Sequence, residues 1–189
     1  MKSNKNTILL SVMLTIALWL SACSTPTVSK DDSENISDDL LYKLIAYSII
    51  SFEMDAIDQN FAGKPIGEVD FKFDGPYGGT VKVTGSTSKA EDVNITTESL
   101  VYMLDNVKQI STTTDKQYIC NVTFNGTLKA KGSYNESYVA MSYSSTNLTV
   151  KGNITDGSST REIDESGSVN ISVSNSKVTA EVFGHTVIW

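Results

Sequence analysis

Apolar and polar positions change rhythm once along the chain, near residue 66. Before that point Leu40, Leu41, Leu44, Ile45, Ile49, Ile50, Phe52, Met54, Ala56 and Ile57 spread almost all the way round a helix drawn at about 100° per residue. A helix that is apolar on every side is a buried one, so something must wrap it. Its ends are marked. Ser37 can cap it, Asp38 and Asp39 complement the positive end of the dipole, and Ile36 can staple onto Leu41. The run ends at about Gln59, ahead of Gly63 and Pro65.

From Val69 onward the period becomes two. Apolar alternations occupy 69–73, 81–83, 100–104, 118–130, 139–143, 148–150, 169–173 and 178–182, and the residues between them are mostly Thr, Ser, Lys or Asn. That pattern predicts antiparallel strands with one wet face. Asp74-Gly75-Pro76, Gly132-Ser133, Asp156-Gly157-Ser158 and Asn175-Ser176 read as turns. The fold class expected is α+β: a curved antiparallel meander of about eight strands wrapped around one N-terminal buried helix. Gly79-Thr80-Val81-Lys82-Val83-Thr84-Gly85 is echoed by Gly126-Thr127-Leu128-Lys129-Ala130-Lys131-Gly132 and by Leu148-Thr149-Val150-Lys151-Gly152. The spacings fit no solenoid, and each closing glycine reads as a strand end, bend or bulge that lets the sheet curl. Segments 85–98, 132–138 and 155–167 read as exposed loops, with Tyr134 and Tyr138 among them as candidate partner-contact residues.

Residues 1–22 behave as a separate unit. Lys2 and Lys5 precede an apolar run at 8–20, whose thirteen residues would rise only about 20 Å as a helix, short of the ~30 Å hydrocarbon core. The run closes on Leu20-Ser21-Ala22-Cys23, which resembles the lipobox of bacterial lipoproteins. The resemblance implies diacylglycerol attachment at Cys23, cleavage just before it, and a membrane anchor of acyl chains, palmitate among them, rather than a spanning helix. Ser24 implies, by the sorting rule of that family, delivery to the outer membrane, on its periplasmic or surface face. Residues 23–35 carry one large apolar side chain and read as a lipidated terminus and flexible tether, leaving 36–189 as a single globular domain. Gly78-Gly79 and Asn125-Gly126-Thr127-Leu128 resemble segments of uncharacterised bacterial envelope lipoproteins that pair such strands with an N-terminal helix. The architecture is also similar to the half-barrel lipoprotein carriers of the bacterial envelope, which implies a hydrophobic ligand in the concavity.

Composition narrows the chemistry. The chain has 189 residues, 40% hydrophobic and 20% charged, with 25 Ser, 20 Thr and 13 Asn. One histidine and two cysteines exclude a metal or redox site that needs several such ligands, so no cofactor is expected. The net charge is −7, and removing Lys2 and Lys5 with the leader leaves 13 basic against 22 acidic residues. Such a chain is not expected to bind nucleic acid, and its attachment to a membrane must come from lipid on Cys23 rather than from a basic patch.

Catalytic candidates each have a plainer reading. His185 lacks a nucleophile elbow anywhere in the chain and reads as structural or exposed. Asp55 and Asp58, three apart on the helix, and the acidic run Glu162-Ile163-Asp164-Glu165 could hold Ca²⁺ or work as paired carboxylates, but read as solvated. Cys120 reads as buried and inert. Eight Asn-x-Ser/Thr sequons, at Asn35, Asn94, Asn121, Asn125, Asn135, Asn147, Asn153 and Asn170, read as a by-product of wet strand faces. Asn94, with Asp92 two residues before it, is the one in the extended bacterial form. The function expected is therefore a non-enzymatic, lipid-anchored envelope protein with a structural or binding role and an envelope protein as partner. The alternative is a carrier or chaperone for a lipid or other hydrophobic ligand.

Overall fold

A computed structural model describes residues 36–61, 66–88, 95–113, 117–135, 138–174 and 177–189. The leader, Cys23, the tether, Asn35 and Asn94 lie outside the described residues.

The helix forms where its pattern demands. α1 (Asp38–Asn60) starts with the Leu41 amide donating to the Ser37 carbonyl at 2.9 Å and the Leu40 amide approaching Ser37 Oγ at 3.4 Å. Ile36 is buried with Leu41, as the staple requires. Arg161 then fixes this end from the sheet side, donating to the Ile36 carbonyl at 2.6 Å and to Asp38 at 2.5 Å. Of residues 41–53 every one but Lys43 is buried, and Leu44, Ile45, Ala46, Ser48 and Phe52 are fully so.

Eight strands follow in chain order: β1 (Gly67–Asp74), β2 (Thr80–Ser88), β3 (Ile95–Thr112), β4 (Ile119–Asn135), β5 (Tyr138–Thr155), β6 (Thr160–Ser174), β7 (Lys177–Val182) and β8 (His185–Ile188). Each pairs antiparallel with the next in one unclosed sheet. The α+β meander curved around one buried helix is therefore what the chain builds. Among the described residues no helix is long and apolar enough to cross a membrane.

The expected count of eight holds, but for partly different strands. Alternations 139–143 and 148–150 are one strand, β5, broken in phase where its pairing to β6 shifts between Ser145 and Leu148. The missing strand is β8, split from β7 by the Phe183-Gly184 turn, where Phe183 has φ 52°. Three expected loops are corrected to strand over much of their length. Residues 85–88 belong to β2 and 95–98 to β3, while 132–135 and Tyr138 extend β4 and β5. Gly132-Ser133 is accordingly not a turn. Residues 160–167 open β6, with Ile163 facing the core between acids that face water.

Glycine allows the curl. Gly85 sits inside β2 at φ +135°, and a Cβ there would lie 1.8 Å from the Ser99 carbonyl oxygen of β3. The neighbouring strand crosses where a side chain would have been. A row of register shifts crosses the sheet as well, between Leu104 and Val107 on β3, Asn125 and Lys129 on β4, and Ser145 and Leu148 on β5. Bulges in adjacent strands bend the sheet along one crease, around the helix. Asn106 in that crease has φ 51°, and its amide N–H donates to Asn125 Oδ1 at 2.8 Å.

Candidate functional site

The helix meets the inner face of the sheet through two kinds of contact. One is apolar: Phe52 packs edge-on against Tyr102 and tilted against Phe124, with ring centroids 6.1 and 6.0 Å apart. The gap beside it, lined by Ile49, Phe52, Leu104, Phe124, Leu128 and Leu148, has no space open to a water molecule. The other is a polar seam along β3. Tyr47 donates to the Thr112 carbonyl at 3.1 Å, the Ser48 and Ser111 hydroxyls meet at 2.9 Å, and Gln109 donates to Asp55 at 3.0 Å. Helix residues 48 and 55 and inward residues 109 and 111 share this line because seven residues are two helical turns, and two residues are one strand repeat.

Cys120 belongs to the seam and is fully buried. Burial pushes its thiol pKa up, against a smaller downward pull from the Ser48 and Ser111 hydroxyls. A thiol held protonated and sealed from solvent is a poor nucleophile.

Asp55 is thus tied to Gln109, and the side chain of Asp58 lies outside the described residues, so the helix acids form no described pair. The acids of β6 do not converge either. Asp164 pairs with Lys151 across the strand at 3.0 Å on the outer face, whereas Glu165 lies beside Tyr42. Among the described residues no group of three or more His, Cys, Asp or Glu could hold a metal ion.

His185 is exposed and stacks on Tyr42, with ring centroids 3.8 Å apart and planes 12° from parallel. The Tyr42 phenol is held above its ordinary pKa chiefly by burial, then by the negative charges of Glu165 and Asp38, with Arg161 opposing. Tyr42, Glu165, Asp38, Arg161 and His185 form a clasp between the start of the helix and β6–β8. Its chemistry is packing and charge pairing.

The most perturbed acid is Glu53, which is not among the candidates singled out from sequence. Glu53 is completely enclosed, and Tyr143 donates to its Oε2 at 3.1 Å while the Tyr102 phenol faces the same carboxyl. Burial raises its pKa from 4.5 to about 8, overcoming the two phenols that pull it down. At neutral pH it is an uncharged acid. The signal was present: Glu53 is an acid on a helix with no polar face to place it on.

Of the sequons, Asn121 and Asn153 are cross-strand partners facing outward, and Asn147 and Asn170 are exposed, as residues of a wet strand face should be. No known protein family, no curated protein and no solved structure matches this chain.

Proposed function

We propose that this chain is a lipid-anchored protein of the bacterial cell envelope that works by binding or by structure, and not by turnover. Cys23, through the lipobox it closes, is the anchoring residue in this reading. One observation carries the rest: the cradle formed by the sheet is filled by the chain's own helix. Ile45 and Phe52 are fully buried, and the apolar gap beside Phe52 has no room for water. A hydrophobic carrier needs a cavity of several hundred Å³, roughly 300 or more for a drug-sized ligand. The candidate reactive groups support the same reading. Glu53 and Cys120 are sealed away from any substrate, and His185 is stacked on a tyrosine.

Metabolic labelling with palmitate in the native host tests the anchor. The wild-type chain is expected to take up label and to start at Cys23, whereas Cys23→Ala should remain an unlabelled precursor. Label on that variant would overturn the anchor. Native mass spectrometry of the wild-type protein tests the filled cradle. Beyond the covalent acyl chains no bound lipid is expected, and a stoichiometric noncovalent lipid would replace this reading with the carrier.

A further inference from the structure

Charge on the sheet is sorted by strand. β2, β4 and β5 together contain four charged residues, Lys82, Lys129, Lys131 and Lys151, and all are lysine. β3 adds Lys108 with Glu98 and Asp105, so the four central strands hold five lysines against two acids. The flanks reverse this: β1 has Glu68, Asp70 and Asp74 against Lys72, and β6 has Glu162, Asp164 and Glu165 against Arg161. Lys82 and Lys151 lean to those flanks, 3.5 Å from Asp70 and 3.0 Å from Asp164. Lys108, Lys129 and Lys131 are exposed on the outer face and make no ion pair with a described residue. A chain of net −7 thus turns a basic band outward.

The band contains a built depression. The β4–β5 ladder stops after Asn125↔Thr149 and resumes at Lys129↔Ser144, with one extra residue on β5. The break opens a hollow of about 100 Å³ lined by Thr127, Lys129, Ser144, Ser145, Thr146 and Asn147. Hydroxyls and an amide there can both donate and accept, beside one ammonium group. Lys131 follows two residues on along the same face, roughly 7 Å away.

We propose that the outer face of β2–β5 binds an anionic polysaccharide, a glycan bearing carboxylate or phosphate groups. The hollow beside Lys129 takes one charged or hydroxyl-bearing group, and Lys108 and Lys131 pair with charges further along the polymer. Charge complementarity selects a polyanion, and the acidic flanks confine it to the central strands. Curvature favours a flexible polymer over a planar bilayer, which would touch a convex face only along a line. The Ser, Thr and Asn side chains between the lysines match sugar hydroxyls. Single-stranded nucleic acid would need aromatic platforms, and Tyr102, Phe124 and Tyr143, the aromatic residues of these strands whose side chains are described, point into the core.

This inference rests on the reading of a binding module but not on the lipid anchor, whose test is palmitate labelling. Affinity electrophoresis of the full chain through gels containing polygalacturonate, with neutral dextran gels as reference, measures it. Retardation by polygalacturonate alone is expected, weakening as salt rises. The exposed double variant Lys129→Ser/Lys131→Ser should bind about tenfold more weakly, while Lys177→Ser on β7 should bind like wild type. Thermal melts coincident with wild type would show that both variants fold. Equal retardation in dextran, no retardation, or wild-type binding by the double variant would overturn the proposal. So would lysine-dependent flotation with phosphatidylglycerol vesicles in the absence of polygalacturonate binding, because the face would then be a membrane contact.

Discussion

On β4 the inward residues Cys120, Val122, Phe124, Leu128 and Ala130 are at most 2% exposed, whereas the outward ones are Asn121, Thr123, Asn125, Lys129 and Lys131. The same division runs through β5, while β3 mixes the two, with Gln109 and Ser111 buried and Met103 and Ile110 exposed. Inside, side chains are constrained by packing between helix and sheet, and most polar groups there have a partner, as Ser48 has in Ser111, Ser51 being an exception. Outside, packing imposes little on the lysine band. On the proposal above, fold belongs to one face and interaction to the other.

The sharpest way to break that division is to put a charge on the wrong side. Ile45 is fully buried, so Ile45→Asp should cost about 4 kcal/mol or more, or abolish folding. Lys43 keeps an edge in water, 2.8 Å from Asp39, so Lys43→Asp, which sets two carboxylates a turn apart, should cost clearly less, about 1–2 kcal/mol. Urea denaturation of both variants measures the contrast. Equal midpoints would mean that the helix is peripheral.

That helix was legible because its signals were local: Ser37, two acids and an unbroken apolar circumference. The meander was legible wherever strict alternation survived. It failed at the crease, because a bulge adds one residue and flips the phase, so Val139–Tyr143 and Leu148–Val150 read as two strands. It also fails at Glu162-Ile163-Asp164-Glu165, where alternation is present but carried by acids, so the run reads as a loop. Glu53 stands out locally as an acid on an apolar helix, but its role is not legible for a third reason. Its surroundings, Tyr102 and Tyr143, come from strands 49 and 90 residues away in sequence, and no local pattern brings them together.

Within the core, backbone is the next point of attack. Gly85→Ala would force a methyl group against the Ser99 carbonyl of β3 at φ +135°, and we expect a loss of about 2–4 kcal/mol. Gly157→Ala, also at positive φ but in open space, should lose about 1 kcal/mol. A Gly85→Ala protein as stable as the Gly157→Ala protein would show that the crease between β2 and β3 relaxes freely.

Glu53 blurs the division, since it is an ionisable group on the buried side, and pH sharpens it. Its folded-state pKa of about 8 exceeds the unfolded value near 4.5, so the folded protein binds the proton more tightly. The stability contributed by protonated Glu53 is complete below pH 4.5. It falls by up to about 1.4 kcal/mol per pH unit as pH rises through the window, and levels off above about pH 8. Glu53→Gln keeps the shape and removes the titration. Measured from pH 5 to pH 8, wild-type stability should decline relative to the variant. Parallel curves would place the ionised carboxylate in an environment that already accommodates it.

The smallest effect belongs to the outer face. Lys151 and Asp164 are 3.0 Å apart, yet both are mostly exposed, so the pair competes with water and salt for each charge. Lys151→Ala should therefore change stability by less than about 0.5 kcal/mol. It should nevertheless weaken polygalacturonate binding slightly, because Lys151 borders the band even while leaning to Asp164. Asp164→Ala gives the complementary reading: stability again barely moves, but the released lysine should strengthen binding. Opposite changes in binding at nearly constant stability are what a face shaped for interaction requires. A loss above about 1.5 kcal/mol in either variant would instead give this outer ion pair a structural role, and the separation of the two faces would fail at β5–β6.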